Sequence, residues 1–65
     1  MRYEIRVDGE MSHTISEAFP ELESVVAAGQ TVLSGQIADE VQLYGLLTRF
    51  QSLGLHVVEM RRLHE

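Results

Sequence analysis

The segment from Thr31 to Leu63 constrains the fold most, because it has the pattern of a complete β-α-β unit. Residues 31–37 are rich in apolar and β-branched side chains and predict a strand. Asp39 is a favourable helix N-cap, and the residues after it carry apolar side chains at helical spacing. Gly54 predicts the end of that helix, and a second strand follows from His56.

The helix of this unit has one apolar face and one polar face. The apolar stripe is formed by Leu43, Leu46, Leu47, Phe50 and Leu53. Gly54 at the C′ position should allow Leu55 to contact Phe50, as in a Schellman motif. Gly45 lies in the middle of the helix and costs about 1 kcal/mol relative to alanine. We therefore expect a close helix–strand contact at Gly45, against Gly35 of the preceding strand.

The chain begins with a predicted strand and a short helix. Residues 2–7 alternate between polar and apolar side chains, which is the period of a half-buried strand. Apolar residues then recur at spacings of three and four over residues 10–22, which is typical of a helix. Pro20 disfavours helical geometry at Phe19, so we expect about two turns that end near Phe19.

Two residues are candidate N-caps for this first helix. Thr14 and Glu17 have the spacing of a capping box, and Ser12 is the alternative. The sequence does not choose between them.

The middle of the chain predicts a β-hairpin that completes the fold. Residues 23–27 and 31–37 flank Ala28-Gly29-Gln30, and the first of these strands is weak and expected at a sheet edge. The element order is then β-α-β-β-α-β, which is the ferredoxin-like order of an α+β fold. Right-handed crossovers place both helices on one face of a four-stranded antiparallel sheet, in the spatial order fourth, first, third, second. We expect residues 1–65 to form this one small domain.

Length and composition limit the classes of function. A chain of 65 residues buries only about 60% of its unfolded surface and is marginally stable. It has no cysteine to form a disulfide, so dimerisation is the remaining common route to stability, and we expect a homodimer or a protein partner. The net charge of −5 disfavours nucleic acid. No segment has the apolar length of a membrane span, and the cysteine-free composition is typical of the cytoplasm.

Candidate catalytic residues have ordinary explanations. His13, His56 and His64 match no common metal-ligand spacing. Asp8 with Glu10, and Asp39 with Glu40, lie at turn or cap positions where acids are favoured in any case. We therefore expect no enzyme activity, no metal and no cofactor.

The turn between the first strand and the first helix is the candidate ligand site. It contains Asp8, Gly9 and Glu10, followed by an apolar residue. At this junction the chain is similar to amino-acid-binding regulatory domains of the ACT type, although their usual proline is missing. That similarity implies an effector site at the turn, and a plain turn is the alternative.

The sheet face opposite the helices is the candidate interface. Alternation along the strands places the following residues there: Arg2, Glu4, Arg6, Val32, Val57, Glu59 and Arg61. Opposite charges on neighbouring strands predict cross-strand ion pairs. This face lacks the stacked aromatic residues of RNA-recognition motifs, so we expect it to be solvated or to pack against a second copy.

The same segments resemble a known group of proteins. The motifs are Leu33-Ser-Gly-Gln-Ile-Ala-Asp, Leu43-Tyr-Gly-Leu-Leu-Thr-Arg-Phe, Leu53-Gly-Leu and Val58-Glu-Met-Arg-Arg, with Ala18-Phe19-Pro20 before them. They are similar to small actinobacterial proteins of unknown function, and the resemblance covers most of the chain. It implies a fold but no activity and no catalytic residues.

The sequence thus favours a non-catalytic interaction or regulatory module that forms a homodimer. The alternative is a regulatory domain that binds an amino-acid-like effector at the turn of Asp8, Gly9 and Glu10.

Overall fold

The computed structural model describes residues 1–64, within which it has two helices and four strands in the predicted order. The elements are β1 Arg2–Asp8, α1 His13–Ser16, β2 Glu23–Ala27, β3 Gln30–Gln36, α2 Glu40–Ser52 and β4 Val57–Leu63. The strands form an antiparallel sheet in the order β2-β3-β1-β4. This is the predicted spatial order, counted from the other edge, with β2 at an edge as expected.

The core lies on one side of this sheet. Alternate residues of β1 and β3 supply Ile5, Val7 and Leu33, and α2 packs Leu43, Leu46 and Phe50 against them. Phe19 and Ile37 are also fully buried, and Ile15 of α1 packs against the same cluster. The Phe19 and Phe50 rings stack with their centroids 4.6 Å apart. The apolar stripe predicted for the second helix is therefore the face that closes the core, except that Leu53 remains exposed.

α1 is shorter than predicted. It contains four residues rather than two turns. The Ala18 and Phe19 N–H groups donate to carbonyls three residues back, at Ile15 and Ser16, and Pro20 has no N–H with which to continue a helix. Ser12 is the N-cap, and its hydroxyl accepts a hydrogen bond from the Ile15 N–H at 3.2 Å. The structure thus selects Ser12 over the alternative capping box at Thr14.

α2 begins and ends as the sequence predicts. The Asp39 side chain accepts a hydrogen bond from the Gln42 N–H at 2.9 Å, which identifies Asp39 as the N-cap. At the other end the Leu55 N–H donates to the Phe50 carbonyl at 2.9 Å, and Gly54 has φ of +72°. This is the bond pattern of the predicted Schellman motif.

The expected contact between Gly45 and Gly35 is absent from residues 1–64, so that prediction is wrong. A Cβ added at Gly45 would meet no atom within 4 Å, because Gly45 lies on the exposed side of α2. A Cβ at Gly35 would lie 2.7 Å from the carbonyl oxygen of Glu21. Because Gly35 has no side chain, the segment that leads from α1 into β2 can pack closely against β3 at this point. The close contact of Gly35 is therefore with this segment and not with a helix.

A β-bulge in β4 changes the side on which Val57 lies. Arg6 pairs with Glu59 and Val7 pairs with Val57, so Val58 is an extra residue without an opposite partner. The bulge turns Val57 to the same side as Val7, where it packs against the core. The prediction that Val57 lies on the face opposite the helices is wrong. That prediction assumed strict alternation of side chains along β4, and the extra residue of a bulge breaks the alternation.

Candidate functional site

The face of the sheet that points away from the core is formed largely by predicted interface residues. We define the open face by the side chains of Arg2, Glu4, Arg6, Val25, Val32, Ser34, Glu59 and Arg61, which the strand register brings together. All the predicted interface residues except Val57 belong to it. Val25, which the sequence did not single out, joins it because it pairs with Val32.

Glu4 is the centre of an ion-pair network on this face. Arg61 donates to one carboxylate oxygen of Glu4 at 3.2 Å, and Arg6 donates to the other at 3.4 Å. The hydrogen bond from Arg61 is the largest cause that lowers the pKa of Glu4, and Arg6 adds to it. The predicted cross-strand pairing is thus present between Glu4 and Arg61. Glu4 stays ionised over the neutral range and fixes both guanidinium groups.

The ion-pair network uses only part of the hydrogen-bonding capacity of Arg6. Its Nε atom is buried, and among residues 1–64 it has no hydrogen-bond partner. Glu59 lies opposite Arg6 in the register but forms no ion pair with it in the described part of the chain. The Arg6 side chain is 40% exposed, so its terminal nitrogens can reach a group outside the chain.

The β2 side of the open face contains an apolar pair of side chains. Val25 is 63% exposed and lies opposite the half-buried Val32. Ser34 continues this side of the face beside Glu23, the first residue of β2. The open face therefore combines an ion-pair network on β1 and β4 with one apolar pair, Val25 and Val32, next to the polar pair Glu23 and Ser34.

The predicted ligand turn is exposed but already hydrogen-bonded within the chain. Asp8, Gly9 and Glu10 are all exposed. The Asp8 N–H donates to the His56 carbonyl and the Gly9 N–H to the Gly29 carbonyl, both at 2.9 Å. These bonds leave the turn fewer free backbone donors with which to hold a carboxylate or phosphate.

Thr31 is the residue that fixes this turn, and the sequence did not single it out. Its side chain is 1% exposed, and its hydroxyl donates to the Gly9 carbonyl while it accepts from the Met11 N–H, both at 2.9 Å. In the sequence, a threonine at an inward-facing strand position gives little indication of such a role, because its hydrogen-bond partner is 20 residues away.

Arg49 is a second residue whose role the sequence missed. Arg49 is outside the apolar stripe predicted for α2, and it donates two 3.1 Å bonds to the Glu21 carboxylate and one of 2.9 Å to the Ala18 carbonyl. Its guanidinium also lies 5.3 Å from the centre of the Phe19 ring. The sequence feature that could have indicated this role is the position of Arg49 three residues after Leu46, which places it at the margin of the apolar stripe.

The bonds from Arg49 to Glu21 and Ala18 hold the segment between α1 and β2 against α2. The hydrogen bond from Arg49 lowers the pKa of Glu21, so Glu21 is ionised at neutral pH. The stabilisation from this pair is present above the usual carboxyl pKa and declines as the pH falls through the lowered value. The bonds between Arg49 and Glu21 therefore link α2 to the segment that precedes β2.

The three histidines do not come together. His13 forms an exposed contact with Glu17 at 3.0 Å, one helical turn away, and His56 and His64 are exposed elsewhere. Over residues 1–64, no group of three or more His, Asp or Glu side chains could hold a metal ion.

Two shallow concavities each contain one predicted interface residue, Arg2 in the first and Val57 in the second. One is lined by Met1, Arg2, Arg62, Leu63 and His64, and the other by Leu47, Gln51, Leu55, His56 and Val57. Neither is lined by Asp8, Gly9 or Glu10. No helix within the described range is both long enough and apolar enough to cross a membrane.

Comparison with known proteins gives a family and no activity. The model of the family described as Domain of unknown function (DUF8691) matches residues 2–61. No curated protein and no solved structure matches the chain. The match covers β1 to α2 in full and β4 as far as Arg61, so it includes all the residues that define the open face.

Proposed function

We propose that this chain, which belongs to the DUF8691 family, is a non-catalytic interaction or regulatory module that acts as a homodimer. Its open face is the surface on which the module binds a protein partner. We further propose that the strand order and the shared side of the two helices make it a ferredoxin-like fold, as in the small actinobacterial proteins it resembles, and that it acts in the cytoplasm.

The observation that carries this proposal is the mixed character of the open face. Glu4, Arg6 and Arg61 form a preorganised charged cluster, and Arg6 retains exposed donors. Val25 and Val32 form an apolar strip beside it. Protein interfaces combine apolar contact with a few oriented charged groups, and arginine is enriched in them.

The small size of the core supports the dimer. Eight apolar side chains are buried among residues 1–64, while Val25, Val26, Val41 and Tyr44 are at least half exposed. A small domain gains stability when a second copy covers such side chains.

Light scattering behind a sizing column tests the homodimer. We expect a mass that rises towards twice that of the chain as the protein concentration increases. A folded chain that remains monomeric at the highest concentrations would refute the homodimer.

The alternative function is an effector site at the turn of Asp8, Gly9 and Glu10. The exposure of both carboxylates supports it, but the internal bonds of the Asp8 and Gly9 amides weaken it. Amino acids and nucleotides should be screened by NMR. Shifts confined to residues 7–12 would favour this alternative over the interaction module.

A further inference from the structure

The outer edge of β2 is an unshielded strand edge. All its residues from Glu23 to Ala27 are exposed, with Val25 at 63% and Val26 at 50%. β2 pairs with β3 on one side and has no strand on the other within residues 1–64. Proteins usually protect such edges with lysine, proline, a bulge or an inward-facing charge. β2 has none of these, and its one charge is at its first residue, Glu23.

The direction of the free backbone groups follows from the hairpin. The loop has two residues, Ala28 and Gly29, so the closing pair Ala27 and Gln30 exchanges both hydrogen bonds. Bonding pairs alternate along an antiparallel ladder, so residues 23, 25 and 27 bond to β3. Ser24 and Val26 therefore point their N–H and C=O groups outward.

A bond in the structure supports this alternation. When the same pattern is carried across β3 and β1, the Asp8 N–H must point towards β4. It does so, because it donates to the His56 carbonyl at 2.9 Å.

We propose that two copies of the chain pair their β2 strands antiparallel about a twofold axis at Val25. This inference rests on the homodimer of the proposed function and names its interface. In this register, Ser24 of each copy lies opposite Val26 of the other. Each of these pairs exchanges two hydrogen bonds, which uses all the outward groups of both residues.

The charges and side chains of β2 fit this register. Glu23 of one copy lies opposite Ala27 of the other, so the two carboxylates are at opposite ends of the new ladder. Val25 lies opposite Val25 of the second copy. Because Val25 also pairs with Val32, a row of four valines crosses the dimer on the open face.

The pairing joins the two open faces into one surface. A twofold axis normal to the sheet keeps equivalent faces on the same side, so the dimer has one continuous sheet of eight strands. The charged clusters around Glu4 then flank the valine row from both sides. The partner surface of the module is this composite face, which no single copy provides.

The size of the contact predicts a weak dimer. Interfaces that bury less than about 1,200 Å² in total belong to weak or transient complexes, and two five-residue strands are at that end of the range. The dimer should therefore dissociate on dilution, which allows the monomer and the dimer to be compared in one sample series.

Hydrogen exchange measured by NMR at low and high protein concentration tests the edge. We expect the Ser24 and Val26 amides to exchange fast in the monomer and slowly in the dimer. The Met60 and Arg62 amides point outward from β4 by the same alternation and should exchange fast in both. Fast exchange of Ser24 and Val26 in a proven dimer would overturn the edge inference alone. A monomer at all concentrations would overturn the homodimer as well.

Proline substitution provides an independent test. Ser24→Pro removes an outward N–H without breaking a bond to β3, and Arg62→Pro removes the equivalent N–H from β4. Loss of two interface bonds, one per copy, should weaken the dimer by about tenfold or more for Ser24→Pro. Arg62→Pro should leave the dimer unchanged. An unchanged dimer in a folded Ser24→Pro variant would contradict the proposal, and the exchange experiment decides the matter if that variant does not fold.

Discussion

The two edges of the sheet differ in how they are protected from further strands. β4 contains a bulge at Val58 and carries Glu59, Arg61 and Arg62, and Arg61 is tied to Glu4. β2 is regular, and only its first residue is charged. A bulge and charged side chains both oppose strand addition. In the proposed dimer, this difference allows a second copy to pair with β2, while the bulge and charges of β4 oppose pairing at the other edge.

The edges also differ in how they are held to the rest of the molecule. β4 pairs with β1, the strand whose Ile5 and Val7 lie in the core. Within residues 1–64, β2 pairs with β3 alone, and the segment before β2 is fixed by its close packing on Gly35 and by the bonds between Arg49 and Glu21. β2 therefore depends on a few specific contacts, which single substitutions can remove.

The largest expected effect is a loss of folding stability that affects both edges of the sheet. Phe50→Ala leaves a cavity beneath the sheet and removes the stack on Phe19, so it should destabilise the fold by about 3–5 kcal/mol. Denaturant unfolding measures this loss. A midpoint equal to that of the wild type would show that Phe50 is not the central core residue.

The next largest effect should fall mainly on the β2 side. The added methyl group of Gly35→Ala would collide with the Glu21 carbonyl at 2.7 Å, and overpacking of this kind costs about 1–3 kcal/mol. Amide exchange should accelerate in β2 more than in β4. Gly45→Ala is the matched control, because Gly45 has open space around it and alanine favours the helix by about 1 kcal/mol.

A matched pair of lysine substitutions compares the edges directly. Val26 is 50% exposed on β2 and Val58 is 49% exposed on β4, so each substitution should cost the monomer less than about 1 kcal/mol. Val26→Lys adds one charge per copy at the proposed contact and should raise the dimer dissociation constant by about tenfold. Val58→Lys should not change it. Equal effects on dimerisation in the two variants would remove the distinction between the edges.

The smallest expected effect is a gain of stability in the β2 hairpin. Ala28 has φ of +52° in the turn, a left-handed conformation in which asparagine is tolerated better than alanine. Ala28→Asn creates the Asn-Gly sequence that such turns favour and should stabilise the fold by about 0.5–1 kcal/mol. Thermal unfolding measures the gain. A lower midpoint would mean that Ala28 makes a contact that the turn geometry does not reveal.

Local signals predicted most of the fold correctly. Asp39 and Gly54 mark the ends of α2 because capping depends on residues within one helical turn. The weak strand at residues 23–27 and its glycine turn were recognised in the same way. The order of the strands followed from the order of the elements and the handedness of crossovers.

The errors arose where a residue acts on a distant segment. Gly35 is required by the carbonyl of Glu21, and Arg49 binds the same residue, although neither is close to it in sequence. Thr31 fixes a turn formed by residues 9–11. The predicted open-face residues did come together, apart from Val57, since strand alternation is a local property that only the bulge interrupts.

The sequence by itself determined the element order, the helix ends and the core face of α2, because periodicity and capping are encoded within a few residues. Only the tertiary structure decided that the two sheet edges are unequal. The bulge at Val58 arises from pairing between strands that are far apart in the chain. The exposure of β2 depends on which other segments reach its outer edge, and within residues 1–64 no strand does. A local sequence pattern cannot specify this.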